Sequence, residues 1–278
     1  MRPQEQPLQM PEQQLEAAGT PHLKADDVSF RWRKWALVIL SALVTAWLGW
    51  LMFRVLNVLG MTQLEWVMLV MFVVNVGWIC FAFVSAVFGF LDALIQKREF
   101  DYKDDAGAIT TRTVILFPIY NESVQDVFAT VESTANALAR MAPGKFECFI
   151  LSDTNSPDVA LEEQAGYDVL RQKTSDDCPV FYRRRTINIA RKAGNVHDFV
   201  TRWGGRYDHM LIYDADSYMS VETLVHMVLS MEADPSLGLL QTVPKLIGGR
   251  SLFARTQQFA ASVYGPVLGR GIAWWSQN

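Results

Sequence analysis

The chain has 278 residues, 50% of them hydrophobic and 19% charged, with a formal net charge of −4. That length holds one well-packed domain and more besides, while the interspersed charges exclude a general attraction to nucleic acid or anionic lipid, so no nucleic-acid partner is expected. Cys80, Cys148 and Cys178 include no Cys-x-x-Cys pair, which points to neither a disulfide framework nor a zinc site; they read as isolated reduced thiols.

Residues 1–30 are rich in Gln, Glu and Pro, have few large apolar side chains to offset the entropy of ordering, and read as a disordered cytosolic tail. Residues 35–59 are apolar apart from Thr45, Arg54 and Asn57, and as a helix they cover a hydrocarbon core of about 30 Å. A second apolar stretch occupies 66–91 with Asn75 inside it. The pair reads as a transmembrane hairpin embedded in the lipid bilayer rather than as buried core helices, which are shorter and amphipathic. A cleaved signal peptide does not fit, because the first apolar run starts after more than thirty mostly polar residues. Arg31, Arg33 and Lys34 precede the first span, and Lys97, Arg98 and Lys103 follow the second, which puts both ends in the cytosol.

After Gly107 the pattern changes to alternating strands and helices, the mark of an α/β domain with a largely parallel sheet, assigned to 108–278. Strands are predicted at Thr113–Pro118, Phe146–Leu151, Val180–Tyr182, Met210–Tyr213 and Leu237–Thr242. Helices are predicted at Val124–Arg140, Val159–Gln172, Asn188–Trp203 and Val221–Met231. The succession is Rossmann-like but has no Gly-x-Gly-x-x-Gly, so a dinucleotide dehydrogenase is unsupported.

In open sheets of this kind ligands bind beyond the carboxyl ends of the strands. The first strand exits as Pro118-Ile119-Tyr120-Asn121-Glu122, where Tyr120 could stack on a base and Glu122 accept its N–H groups. The second exits through Asp153, whose carboxylate could meet a base or ribose; equally, Asp153 or Ser156 could cap the next helix. The fourth exits as Tyr213-Asp214-Ala215-Asp216-Ser217, two carboxylates placed to share a hard divalent cation and so hold a diphosphate. Mg²⁺ or Mn²⁺ suits such oxygens, and the histidines, His22, His197, His209 and His226, have no ligand spacing. Between the strands lie Arg183-Arg184-Arg185 and Arg191-Lys192-Ala193-Gly194-Asn195, cations beside a helix start that could meet phosphates or form a basic surface. Spacing does not choose among them; Lys192 is the single residue favoured.

Together Pro-Ile-Tyr-Asn-Glu, Leu-Ser-Asp, Arg-Lys-Ala-Gly-Asn and Tyr-Asp-Ala-Asp-Ser, in this order, resemble glycosyltransferase family 2, and the likeness covers residues 110–278. It implies a GT-A fold and an inverting hexosyltransferase. In that light Tyr120, Glu122 and Asp153 match uridine-holding positions, Lys192 lies near the donor, and Asp214 and Asp216 match metal and diphosphate positions. Longer stretches such as RTVILFPIYNE and FILSDTNSPD are similar to the branch that makes bacterial osmoregulated periplasmic glucans. That branch implies UDP-glucose as donor, a β-glucan product, a multi-pass inner-membrane location, and a second glucan-synthesis protein and a carrier protein as partners.

The chain departs from the family in having neither the Thr/Ser-Glu-Asp motif that supplies the general base nor the Gln-x-x-Arg-Trp motif of the acceptor end. No residue is therefore assigned as the catalytic base, which is expected beyond Asn278. The GT-A domain reads as incomplete, the chain as an N-terminal fragment or truncated product, and transfer by it alone is not expected. Two other functions fit the same residues: a non-catalytic nucleotide-sugar-binding or regulatory membrane protein, and another family 2 polysaccharide synthase.

Overall fold

The computed structural model describes residues 3–9, 28–95 and 106–276. Helix α1 (Val28–Leu56) starts before the first apolar stretch but ends three residues short of its expected end at 59, and α2 (Gln63–Ile95) takes up the second and extends it at both ends. The start of α2 is set by a capping box: the Thr62 N–H donates to Glu65 Oε2 at 2.7 Å, and the Glu65 N–H donates to Thr62 Oγ1 at 3.4 Å. Both helices are long and apolar enough to cross a membrane, and only 17% and 11% of their most apolar stretches is buried. Trp35, Leu43, Val74 and Trp78 face outward, the opposite of a core helix and the arrangement that fits association with a membrane. Lys97, Arg98 and Lys103 lie outside the described residues.

The α/β unit is built on four parallel strands, β1 (Thr113–Ile119), β2 (Phe146–Ser152), β3 (Val180–Arg184) and β4 (His209–Ile212), in the order β3-β2-β1-β4. Parallel pairing requires crossovers, and helices α3 (Val124–Met141), α4 (Pro157–Lys173), α5 (Arg191–Trp203) and α6 (Val221–Ala233) supply or follow them. Alternate side chains of a strand point to opposite faces. Ile115, Phe117 and Ile150 accordingly join a core with α3, α4 and α6, while Val114, Leu116, Phe149 and Leu151 meet Phe199 and Trp203 of α5. Burial on both faces is why β1 and β2 read as continuous apolar runs rather than as alternation. Cys148 and Cys178 are free and buried as expected of reduced thiols, but they are not isolated: their Sγ atoms lie 3.9 Å apart.

Two segments depart from expectation. Residues 3–9, assigned to a disordered tail, have no regular secondary structure but are hydrogen-bonded to the C-terminal end of α5. The reason is chemical: the last carbonyls of a helix lack a partner within it, and here Gln6 N–H donates to Arg202 O at 2.8 Å, while Leu8 N–H adds a longer bond at 3.4 Å to Val200 O, which already accepts from Gly204 N–H. Gly205 N–H returns a bond to Gln6 O at 2.9 Å, and a side chain at Gly205 would crowd the Pro7 carbonyl. The rest of that tail, residues 10–27 and Met1-Arg2, lies outside the described residues.

The strand predicted at Leu237–Thr242 does not form; these residues run as irregular chain with Leu239 exposed, because none of the described strands pairs with them. The chain also divides at Leu240: residues 241–276, expected within the α/β domain, group with α1 and α2. Helix α7 (Leu252–Ser276) belongs to that helical unit, where Trp274 stacks on Phe88 of α2 with ring centroids 4.5 Å apart. Gln277 and Asn278 lie outside the described residues, and with them the expectation of a general base beyond Asn278.

Candidate nucleotide-sugar site

The chain runs from β1 outward to β2 and β3, then returns to place β4 on the other side of β1. The direction of winding reverses between β1 and β4, and the crevice beyond the carboxyl ends of such a pair is where open sheets take ligands. The loops after β1, β2 and β4 carry Tyr120–Glu122, Asp153 and Asp214–Asp216, so the residues expected at strand exits converge on one edge of the sheet.

Tyr120 is half-exposed at the rim. Asn121 turns the loop with a φ of 59°, and the Glu122 carboxylate accepts the Tyr120 N–H, closing the turn on itself. Behind it Ser123 caps α3, its Oγ accepting from Asp126 N–H at 3.4 Å.

Asp153 is only 4% exposed, and it is not a helix cap. Its two carboxylate oxygens accept from Arg185, Nε at 2.7 Å and Nη2 at 2.6 Å, a bidentate pair. That hydrogen bonding raises the Arg185 pKa above its ordinary value. Ser156 does hold the N-cap position of α4, but its side chain makes no capping bond. A carboxylate has about four acceptor positions, so the Arg185 pair does not use all of those on Asp153.

The basic motif divides its labour. Lys192, in the first turn of α5, forms an ion pair with Asp214 across the crevice. Gly194 is required because any side chain there would collide with the Ile189 carbonyl, which the chain brings close by taking left-handed backbone at Ala190 and Arg191. Asn195 is buried and pins the helix start to the sheet, its Nδ2 donating to Leu151 O at 2.8 Å. Its Oδ1 accepts from Arg183 Nη1 at 2.7 Å. Arg183 is itself buried; desolvation pulls its pKa down to about 10, partly opposed by Asp198, whose carboxylate lies 2.9 Å from Nη2.

Asp214 and Asp216 are both exposed, in a turn closed by Ser217 N–H donating to Asp214 O at 3.0 Å. Among the described residues no group of three His, Cys, Asp or Glu side chains gathers. The donor set is thus two hard carboxylates, and a cation held there would complete its shell with phosphate and water oxygens, as Mg²⁺ does. The residues present fit such an ion.

Arg185, Asn195 and Arg183 were not singled out by spacing. A run of three arginines at the end of a strand shows which alternate ones share a face, but not which of them reaches the aspartate at the end of the neighbouring strand.

A model of the family described as Glycosyl transferase family 2 matches residues 114–276, more than half of the chain. The chain belongs to glycosyl transferase family 2. Within that family it is similar to the glucans biosynthesis glucosyltransferase H of Vibrio cholerae serotype O1, with 46% identity over 282 residues that include 99% of this chain. It shares 49% identity over 225 residues with the protein of that name from Shewanella baltica, and 48% over 225 residues with that from Shewanella putrefaciens, each match including 81% of this chain. The chain spans 39% of the length of the Vibrio protein and 31% of that of the Shewanella proteins. The family 2 match begins at Val114 in β1 and so includes every site residue described above.

Proposed function

We propose that the chain is the donor-binding part of a membrane-bound, inverting glucosyltransferase that takes glucose from UDP-glucose to extend a β-glucan. The observation that supports this reading is that the Tyr120–Glu122 loop, Asp153 and Asp214 follow the carboxyl ends of β1, β2 and β4, with Lys192 paired to Asp214. The relatives' shared name supplies the sugar and the class of product.

In this reading Tyr120 stacks on uracil, and Glu122 and Asp153 accept N–H or O–H groups of the nucleoside. Lys192 faces a phosphate oxygen while still offsetting Asp214. Asp214 and Asp216 would hold the Mg²⁺ or Mn²⁺ on which family 2 enzymes commonly depend, an ion that would neutralise charge on the departing UDP. The acceptor hydroxyl attacks the anomeric carbon from the side opposite UDP as a general base takes its proton, so one displacement inverts the configuration. No described residue of this chain is given the role of that base. The helices α1 and α2 would anchor the protein in the inner membrane as a hairpin, with the α/β unit in the cytosol. A second glucan-synthesis protein and a carrier protein are the partners this reading implies.

Calorimetric titration of the detergent-solubilised chain with UDP, with and without Mg²⁺, tests the site. Asp153→Ala is expected to weaken binding in both buffers by about ten- to a hundredfold, the worth of a hydrogen bond to a charged group. Asp214→Asn and Asp216→Asn should weaken it only where Mg²⁺ is present. Equal affinity for all proteins in both buffers would remove the reading.

A further inference from the structure

Glu163, in the second turn of α4, is a fully buried carboxylate, 0% exposed. Burying a carboxylate is expensive unless its oxygens are satisfied. Here the partners are three hydroxyls: Ser152 Oγ donates at 2.7 Å, Tyr182 Oη at 2.8 Å, and Thr154 Oγ1 at short range. Burial and the bond to Glu163 both push the Tyr182 hydroxyl well above its ordinary pKa, so it stays a donor.

The direction of each proton follows from what the hydroxyls do on their other side. Ser152 Oγ accepts the Thr154 N–H at 3.2 Å, and Thr154 Oγ1 accepts the Asn121 N–H at 3.0 Å. Each has its proton left to give, and only an acceptor can take it. A carboxylate takes all three at once; a glutamine amide in its place would turn one acceptor into a donor.

Ser152 and Thr154 flank Asp153, so the residue between them is aimed by two neighbours tied to Glu163. Thr154 extends the tie across to Asn121, which also donates Nδ2–H to Asn155 Oδ1 at 2.8 Å. We infer that Glu163 is a positioning residue that clamps both donor-side loops, the one after β1 and the one after β2, in the arrangement that receives the nucleoside. The inference rests on the nucleotide-sugar reading of the site.

Hydrogen exchange on the full chain in detergent, together with UDP titration, tests the clamp in wild type, Glu163→Gln, Thr154→Val and Thr154→Ser. Glu163→Gln is expected to speed exchange about tenfold in segments 119–123 and 152–156 while strand segments 113–117 and 146–150 keep their protection, and to weaken UDP about tenfold. Thr154→Val should free segment 119–123, and Thr154→Ser, which restores the hydroxyl, should protect it again. Unchanged exchange in both loops of Glu163→Gln, or equally faster exchange in the strands, overturns the clamp. The two readings fail separately. Loosened loops in Glu163→Gln with no UDP bound by wild type leave the clamp standing and remove the nucleotide reading. Unchanged loops with UDP affinity still lost in Asp153→Ala remove the clamp and leave the site.

Discussion

Arg183 shows how a single residue can join the interior to the site. A guanidinium that is 1% exposed survives because Asn195 accepts from it through both Oδ1 and its backbone carbonyl and the Asp198 carboxylate pairs with its charge, and its pKa of about 10 keeps it charged at neutral pH. Asn195→Ala would remove an acceptor from that buried cation and a donor from the Leu151 carbonyl, leaving both short of partners. A loss of about 2–4 kcal/mol in urea unfolding is expected; a loss under about 0.5 kcal/mol would mean that water replaces Asn195. The places of Asp153 and Asp214 at strand exits were legible in the sequence because they stand where apolar runs stop, whereas spacing did not separate Lys192 from its basic neighbours. Arg185, Asn195 and Glu163 were not legible, since each acts through a contact that only the packing of strands and crossover helices creates.

Elements were more legible than contacts. The helices predicted from periodicity appear within a few residues of their expected ends, because each carries an apolar face and some carry a side-chain cap. The failures are segments whose state is decided by a partner: residues 3–9 are held by α5, and Leu237–Thr242 has no strand beside it among the described residues. A further tie fastens α6 to the approach of β1, where Glu232 Oε1 accepts from Thr110 N–H at 3.0 Å and Thr111 N–H at 2.8 Å. Burial pushes this carboxyl upward, but the bonds from Thr111 and Thr110 outweigh it and hold its pKa below the ordinary 4.5. The unfolded chain then binds the proton more readily, so the contribution is present above pH 4.5 and disappears as pH falls through the lowered value. The difference in melting temperature between wild type and Glu232→Gln should therefore be positive near about pH 7 and shrink steadily once the solution is more acidic than the ordinary carboxyl pKa. A difference that persists in acid would mean that the tie does not depend on the charge of Glu232.

At the scale of the molecule, the sequence showed two materials, and the structure has two units whose membership differs from the sequence order. Apolar length identified α1 and α2, whereas α7, with Arg255, Arg270 and Pro266 inside it, carries no comparable signal and joins them through packing. Outward-facing Trp35 and Trp78 predict that the chain stays with the membrane pellet through an alkaline carbonate wash; release into the supernatant would remove the proposed anchorage. The buried thiols add a practical consequence. Cys148 and Cys178 lie at the heart of the α/β unit, where the neighbouring sulfur first and burial second hold the Cys148 thiol well above its ordinary pKa, and Cys80 lies inside the helical unit. An alkylating reagent can reach either group only when its own unit opens. The rates at which the two sets are consumed are therefore two clocks in one chain, each timing the opening of its own unit without an added label.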